Sequence, residues 1–272
     1  MSTLAPFSFP GSVACVTGAG SGIGRAIAKA LAAQGVRVLV TDVDEKRCMT
    51  VGGEITDSGG TAVFQRTDVR RVEDFTAARD RCLAEFGRID IVVNNVGAMV
   101  SGRPEAISPD EWQRLFDINV LGLVRSNNVF LPLLMKQRSG HVVNTASASA
   151  MLNYSFDRTP YGASKAAVLN LSENLYLYLR PYGVGVSCIC PTGVLTNILE
   201  QLRVIGEPLT LRRPDHEIVD AQTVADRTVK AIADRRFLVT SVDSAADEAK
   251  RKWTDIDAYL AEREVWLNTE EQ

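Results

Sequence analysis

The chain has 272 residues and a formal net charge of -3, with no clustered basic segment. That length suits one large α/β domain with its own core, and the charge balance excludes nucleic acid as the main partner. Residues 1–10 lack the basic-then-apolar order of a secretory signal, and no apolar run reaches the ~20 residues of a bilayer crossing, so a cytoplasmic protein with no membrane partner is expected.

Along the chain, strand-length apolar runs alternate with helical patterns. Strands are expected at residues 13–17, 37–41, 62–66, 89–93, 141–146, 184–189 and 236–240. Helices are expected to begin near Gly22, Glu45, Val72, Pro109, Tyr161 and Thr223, with Gly35, Gly87, Gly140 and Gly183 placed where a helix stops and a strand starts. This order predicts parallel strands, right-handed crossovers and helices on both faces of one sheet, in a single domain spanning residues 1–272. Two regions break the rhythm. Residues 192–222 are long and irregular and read as a lid over a substrate. Residues 244–272 form a charged helical extension with Trp253, Ile256, Tyr259, Leu260 and Trp266 at largely helical spacing, expected to dock on its own subunit or a neighbour's. The five cysteines and two histidines give neither a paired framework nor a ligand set, so the thiols read as buried and reduced and no metal is expected.

The glycine-rich turn at Gly18, Gly22 and Gly24 lies between a strand and a helix, where a dinucleotide pyrophosphate rests on helix N-terminal amides. Its spacing is G-x-x-x-G-x-G rather than G-x-G-x-x-G, but the physics is shared: a tight turn and close backbone approach. Asp42 ends the second strand, where an acid bonds the adenosine ribose and repels a 2′-phosphate; no Arg or Lys stands at residues 19–21 or 43–44 to receive one. NAD is therefore favoured over NADP. Asp68 follows the third strand, to meet the adenine edge or to cap the next helix. Asn94 and Asn95 follow the fourth and alone would equally well close a turn, while Asn119 interrupts a helical pattern and Ser147 sits just past the fifth strand. Tyr161 and Lys165 are four residues apart, so a helix places them on one face. A phenol with pKa ~10 is a poor base near neutrality, and an ammonium about 4 Å away favours the phenolate by up to ~4 kcal/mol before desolvation. With a nicotinamide cofactor, that pair points to alcohol–ketone redox chemistry.

Together these segments resemble the short-chain dehydrogenase/reductase (SDR) family. The resemblance rests on Thr17-Gly-x3-Gly-Ile-Gly24, Asp68, Asn94-Asn-x-Gly97, Asn119, Ser147, Tyr161-x3-Lys165 and Pro191-x-Gly193, in the family's order over roughly residues 11–240. It implies a Rossmann-like doubly wound sheet of strand order 3-2-1-4-5-6-7. It also implies roles: Tyr161 as general acid/base, Ser147 holding the substrate oxygen, Lys165 holding the nicotinamide ribose and lowering the tyrosine's pKa, and Asn119 positioning a water in the proton relay. Cofactor contacts are implied at Gly18, Ser21, Gly22, Ile23 and Gly24 of the turn and at Asp42, Asp68 and Val69. Asn95, Gly97, Tyr161 and Lys165 continue the set, and Pro191, Gly193, Val194 and Thr196 would line the nicotinamide. Three departures stand out. Val96 replaces the usual Ala, Ser147 precedes Tyr161 by one residue more than the family spacing (Ser149 being the alternative), and residues 244–272 replace the usual tetramer-forming ending. A homodimer through the helices at 109–137 and 161–182, or a homotetramer, is the expected assembly.

The expected activity is NAD-dependent interconversion of a hydrophobic secondary alcohol (alicyclic, terpenoid, steroid or aromatic) and its ketone. Met99, Val100, Met151, Leu152, Tyr154, Phe156, Ile198, Leu199, Leu202 and Ile205 are the expected pocket residues. The alternatives are an NADP-linked biosynthetic ketoreductase, opposed by Asp42, and a non-catalytic NAD(H)-sensing protein, opposed by retention of Ser147, Tyr161 and Lys165.

Overall fold

Several strand segments are apolar throughout rather than alternating, which is the mark of a parallel sheet covered on both faces. The computed structural model describes residues 4–153, 156–196, 202–207 and 216–268, with side chains through residue 265. Its strands are β1 (Val13–Thr17), β2 (Arg37–Asp42), β3 (Thr61–Arg66), β4 (Ile91–Asn94), β5 (Met99–Gly102), β6 (Gly140–Thr145), β7 (Val184–Cys190), β8 (Leu202–Ile205) and β9 (Leu238–Thr240). Seven of them form one parallel sheet in the order β3-β2-β1-β4-β6-β7-β9. With the two short strands β5 and β8 set aside, this is the expected 3-2-1-4-5-6-7.

The helices are α1 (Gly22–Ala33), α2 (Glu45–Asp57), α3 (Val72–Phe86), α4 (Pro109–Phe116), α5 (Gly122–Gln137), α6 (Thr159–Leu179), α7 (Ala221–Ala233), α8 (Asp243–Thr254) and α9 (Ile256–Asn268). Strand alternation divides the core between the two faces. Ala14 and Val16 join Ile27 and Leu31 of α1 and Ile232 of α7, whereas Val13 and Cys15 join Phe75 of α3 and Phe130 of α5. The Phe75 and Phe130 rings meet edge to face at 6.4 Å. All five cysteines are free and buried.

Three expectations shift. The fourth strand starts at Ile91, because Asp90 is spent as an anchor: its carboxylate accepts from the Val13 amide at 2.9 Å and pairs with Arg88 at 2.6 Å. Residues 202–205, inside the segment expected to be irregular, form β8 and pair in parallel with β5 from Met99↔Leu202 to Gly102↔Ile205. Finally, α4, a widened π turn at Asp117–Leu121 and α5 run on as one helix, Pro109–Gln137, that is long and apolar enough to cross a membrane. It serves here as a core helix, burying Leu115, Leu123, Phe130 and Leu134.

Helix α8 docks on its own subunit, Ala245 and Ala249 entering the main core, and Tyr259 of α9 is buried as well. Trp253, Ile256 and Leu260, expected on the same stripe, are exposed instead. Trp266, Tyr154, Ile198 and Leu199 carry expectations that lie outside the described side chains.

At the base of the sheet, His141 is fully buried with Nε2 2.8 Å from the Ser187 hydroxyl. Burial, reinforced by the charge of Arg235, pushes its pKa down to about 3. The unfolded chain binds this proton near pH 6.5, so the stability of the neutral imidazole is complete above that value and is lost as pH falls toward 3. His141→Gln should therefore shrink the drop in urea midpoint between pH 7 and pH 4. An undiminished drop in the variant would place the acid sensitivity elsewhere.

Candidate functional site

The parallel sheet brings every strand's carboxyl end to one edge, and its order reverses between β1 and β4, leaving a crevice there. Gly18 and Gly22 take φ of +61° and +52°, the left-handed region that favours glycine. A Cβ on Gly24 would lie 2.1 Å from the Gly18 carbonyl oxygen, so no side chain fits there. Ser21 is the N-cap of α1 without a side-chain cap bond, and no acid stands in the first turn. With Ile23 half-buried behind them, these amides form a cradle suited to a pyrophosphate.

Asp42 lies beside the turn. One carboxylate oxygen accepts from the Gly20 amide and the other from the Asp44 amide, both at 3.1 Å. A cation missed from sequence is near: a Cβ on Gly20 would sit 2.7 Å from Cβ of Arg47, whose Nε is 3.6 Å from an Asp44 carboxylate oxygen. In sequence Arg47 stands outside the immediate flanks of Asp42, and the first turn of α2 brings it back beside the glycine turn.

Asp68 is not the cap of the helix that follows it. Its carboxylate accepts from the Arg70 amide at 3.0 Å and from the guanidinium at 2.9 and 2.6 Å. Arg70 thereby holds it at a pKa of about 2, against the opposing effect of burial. The N-cap of α3 is Arg71, not Asp68. Val69 is buried against Gly122, where an added Cβ would approach Val69 Cβ to 3.0 Å.

Asn95 is the joint of the crevice. Its amide donates to the Thr17 hydroxyl at 3.1 Å, its side-chain nitrogen to the Gly18 carbonyl at 3.4 Å, and its side-chain oxygen accepts from the Thr145 hydroxyl at 3.1 Å. Behind it, Asn94 donates to Asn144 and Asn144 to Ser172, each at 2.9 Å. Asn119 lies in the π turn and is nearly fully buried. Its side chain clasps the main chain of Ala98, at 2.8 and 3.0 Å, and donates to the Ser164 hydroxyl at 2.9 Å. Both side-chain N–H donors are thereby used within the protein.

Ser147, in extended backbone after β6, caps the short turn Ala148–Ala150 by accepting from the Ser149 amide at 3.1 Å. Pro160 lies in the first turn of α6, which sets Tyr161 and Lys165 on its first two turns. Lys165 is 2% exposed; its ammonium donates to the Thr145 carbonyl at 2.8 Å and lies 5.7 Å from the Tyr161 ring centre. A Cβ on Gly97 would come within 3.1 Å of that nitrogen, so glycine makes room for it. Burial pushes Lys165 down to about 8.

Burial also raises the phenol of Tyr161; the Ser147 hydroxyl, bonded to it, and the charge of Arg158 act the other way. Of the two candidate serines, Ser147 is the one whose hydroxyl bears on the Tyr161 phenol. The Lys165 ammonium, expected to lower the phenol's pKa, turns to Thr145 instead, and after the Ser147 hydroxyl the charge of Arg158 is the next influence that favours the phenolate. Arg158 was not legible as a site residue: its signal was only a charge three positions before the tyrosine. Its Nε reaches the buried Asp157 carboxylate at 3.2 Å, and Asp157 accepts from the Ser101 hydroxyl of β5 at 2.7 Å.

The segment after β7 closes the crevice. The Pro191 carbonyl accepts from the Ala148 amide at 2.8 Å, Val194 bridges to Val219, and Gly193 lies against Ile218. Thr196 stands over the glycine turn: a Cβ on Gly22 would be 3.1 Å from Cβ of Thr196. Of the expected apolar pocket residues, Met99, Val100, Met151 and Leu152 are buried in the core. The exposed apolar side chains of these segments are Phe156, Leu195 and Ile218.

Known proteins share both sequence and shape with this chain. The family model described as short chain dehydrogenase matches residues 12–204. An uncharacterised oxidoreductase of Staphylococcus saprophyticus is 39% identical over 187 residues, covering 68% of this chain and 80% of that protein. The L-fucose dehydrogenase of Bos taurus is 36% identical over 195 residues, covering 71% and 70%. A short-chain dehydrogenase/reductase of Burkholderia phymatum, solved in complex with NAD, superposes with a TM-score of 0.83 at 32% identity, over 93% of this chain and 96% of that one. The chain belongs to the short-chain dehydrogenase family.

Proposed function

We propose that this oxidoreductase uses NAD to interconvert a secondary alcohol and its ketone, with Ser147, Tyr161 and Lys165 at the reacting end of the crevice. The observation that carries this reading is that Ser147, Tyr161 and Lys165 lie together at the same sheet edge as the glycine turn, with the Lys165 ammonium 5.7 Å from the Tyr161 ring centre and donating to the Thr145 carbonyl. The residues fit the dinucleotide: glycines leave the cradle bare, and Asp42 offers its carboxylate to a ribose rather than to a 2′-phosphate. NAD supplies the hydride acceptor. Tyr161 takes the hydroxyl proton and Ser147 holds the substrate oxygen, while Lys165 would hold the nicotinamide ribose and Asn119 would position a relay water. The adenosine side uses Asp42, Asp68 and Val69; the nicotinamide side uses Asn95, Gly97, Pro191, Gly193, Val194 and Thr196.

A hydrophobic alcohol is favoured by the exposed Phe156, Leu195 and Ile218 around the opening. A polar, sugar-like alcohol is the second reading, favoured by the Ser101–Asp157–Arg158 chain beside Tyr161 and by the L-fucose dehydrogenase relative. A panel of cyclic, aromatic and aldose alcohols scored by NADH formation separates the two. Residues 192–222 act as the lid in this reading. The five buried free thiols fit a cytoplasmic, reducing compartment, which cell fractionation would check.

Tyr161→Phe should lower turnover by about 10²–10⁴-fold while leaving NAD affinity nearly unchanged, since only the ionisable oxygen is lost. Lys165→Ala should harm both. Arg158→Gln removes a charge that favours the phenolate, so the rising, acid-side limb of the oxidation rate should move to higher pH. Full turnover in Tyr161→Phe would exclude the phenol as the proton acceptor.

Cofactor choice is expected to follow Asp42. Asp42→Ser combined with Val43→Arg removes the repulsion and supplies a fork for the 2′-phosphate, moving the ratio of kcat/KM values toward NADP. A native enzyme that already prefers NADP would overturn this assignment.

Leu177 and Tyr178 on α6 and Leu121 before α5 are exposed, at 71%, 57% and 47%. Those helices form the face through which we expect a homodimer or homotetramer. Leu177→Glu with Tyr178→Glu should yield a monomer by sedimentation, and an unchanged mass would place the interface elsewhere.

A further inference from the structure

Helix α8 carries Ser244, Glu248 and Lys252 at four-residue spacing, one stripe along one face. The first two grip His216, whose Nδ1 is 3.3 Å from the Ser244 hydroxyl and whose Nε2 is 2.9 Å from a Glu248 carboxylate oxygen. Glu248 also accepts from the Tyr259 hydroxyl at 2.9 Å and from the Arg263 guanidinium, both on α9. One turn on, Lys252 is 7% exposed and donates its ammonium to the Met151 carbonyl at 2.8 Å. Among the described residues no carboxylate pairs with it, and burial lowers its pKa.

The partners of this stripe are the two walls of the crevice. Met151 ends the turn that Ser147 opens, and its amide and that of Leu152 both bond the Ala148 carbonyl, at 2.9 and 2.8 Å. His216 leads into Ile218 and Val219. The Val219 amide donates to the Gly193 carbonyl and the Leu195 amide to the Val219 carbonyl, each at 3.0 Å. Besides that carbonyl the ammonium meets the Trp253 ring, 5.0 Å away, and burying a cation with no carboxylate beside it costs stability that a methionine of similar length would not. Its location, on the helix that also holds the opposite wall, gives that cost a purpose.

We propose that α8 is a positioning clamp for the substrate site: Lys252 fixes the turn that carries Ser147, and Ser244 with Glu248 fixes, through His216, the segment returning to Val194. The extension after the sheet is then part of the site's geometry. The functional consequence rests on the reading of Ser147 as the residue that holds the substrate oxygen; the structural clamp does not.

The test compares native protein, Lys252→Met, Lys252→Arg and Glu248→Gln as full-length NAD complexes by amide hydrogen exchange. Lys252→Met should speed exchange of the amides at 149–152 about tenfold while β6 stays protected, and Lys252→Arg should restore them. Glu248→Gln should act instead on the amides of Leu195 and Val219. With the alcohol of the panel that turns over fastest, Lys252→Met should raise KM about tenfold at unchanged NAD affinity. Exchange at 149–152 that does not change, or that accelerates equally in β6, would overturn the clamp, as would failure of Lys252→Arg to restore it. Faster exchange with unchanged KM would uphold the clamp and count against Ser147 as the substrate-holding residue.

Discussion

One asparagine holds the cofactor end of this molecule in place. Asn95 spends its main-chain amide, its side-chain nitrogen and its side-chain oxygen on three separate segments: the end of β1, the glycine turn and the end of β6. The ladders that join β1 to β4 and β4 to β6 end at Val16↔Val93 and Asn94↔Asn144, and the loops beyond those ends need a separate tie at the topological switch point. A side chain with one acceptor and one donor group at the same depth supplies it. Loss of any of these bonds would leave a buried polar group unpaired, at a cost of about 1–3 kcal/mol. The glycine cradle and the Thr145 carbonyl that receives Lys165 are therefore set by the same residue.

The polar chain continues inward. Asn94, Asn144 and Ser172 tie β4 to β6 and β6 to α6, and Ser172 returns its proton to the Val168 carbonyl at 2.6 Å. Asn119 ties the π turn to Ala98 and to Ser164, one position before Lys165. Helix α6 is thus pinned at two levels, at Ser164 within its reactive first turns and at Ser172 two turns below. Satisfied networks of this kind rigidify a site, since each member loses more by moving than a methyl group would. The burden of burying Lys165, visible in its lowered pKa, is carried by this rigid surround.

The main sheet was legible because its strands are buried on both faces and read as apolar runs, and because glycines mark the helix-to-strand turns. The cradle and the Tyr161–Lys165 pair were legible because their spacing is local. Features that depend on approach across the fold were not. β8 is four residues long with Arg203 and Val204 outward, too short for alternation to register. Arg47 reaches Gly20 only because α2 folds back, and Arg158 acts on Tyr161 only once Asp157 is buried against Ser101. The apolar stripe of the extension was read by spacing alone; Tyr259 turned inward while Trp253 and Leu260 turned out, since α8 meets the body through alanines and Lys252.

The anchor that Asp90 gives to the Val13 amide has a consequence for how the protein is made. Strand β1 emerges from the ribosome with β2 soon after it, yet its other edge waits for β4, and the two partners of that anchor lie 77 residues apart. Closing so long a loop before the contact pays back is slow. The crevice gains its floor only when Asn95 has been synthesised, its reactive lysine seventy positions later, and the Met151 contact only when Lys252 follows. A nascent chain thus carries a glycine turn with no complete site behind it until residues 95, 165 and 252 have all been added.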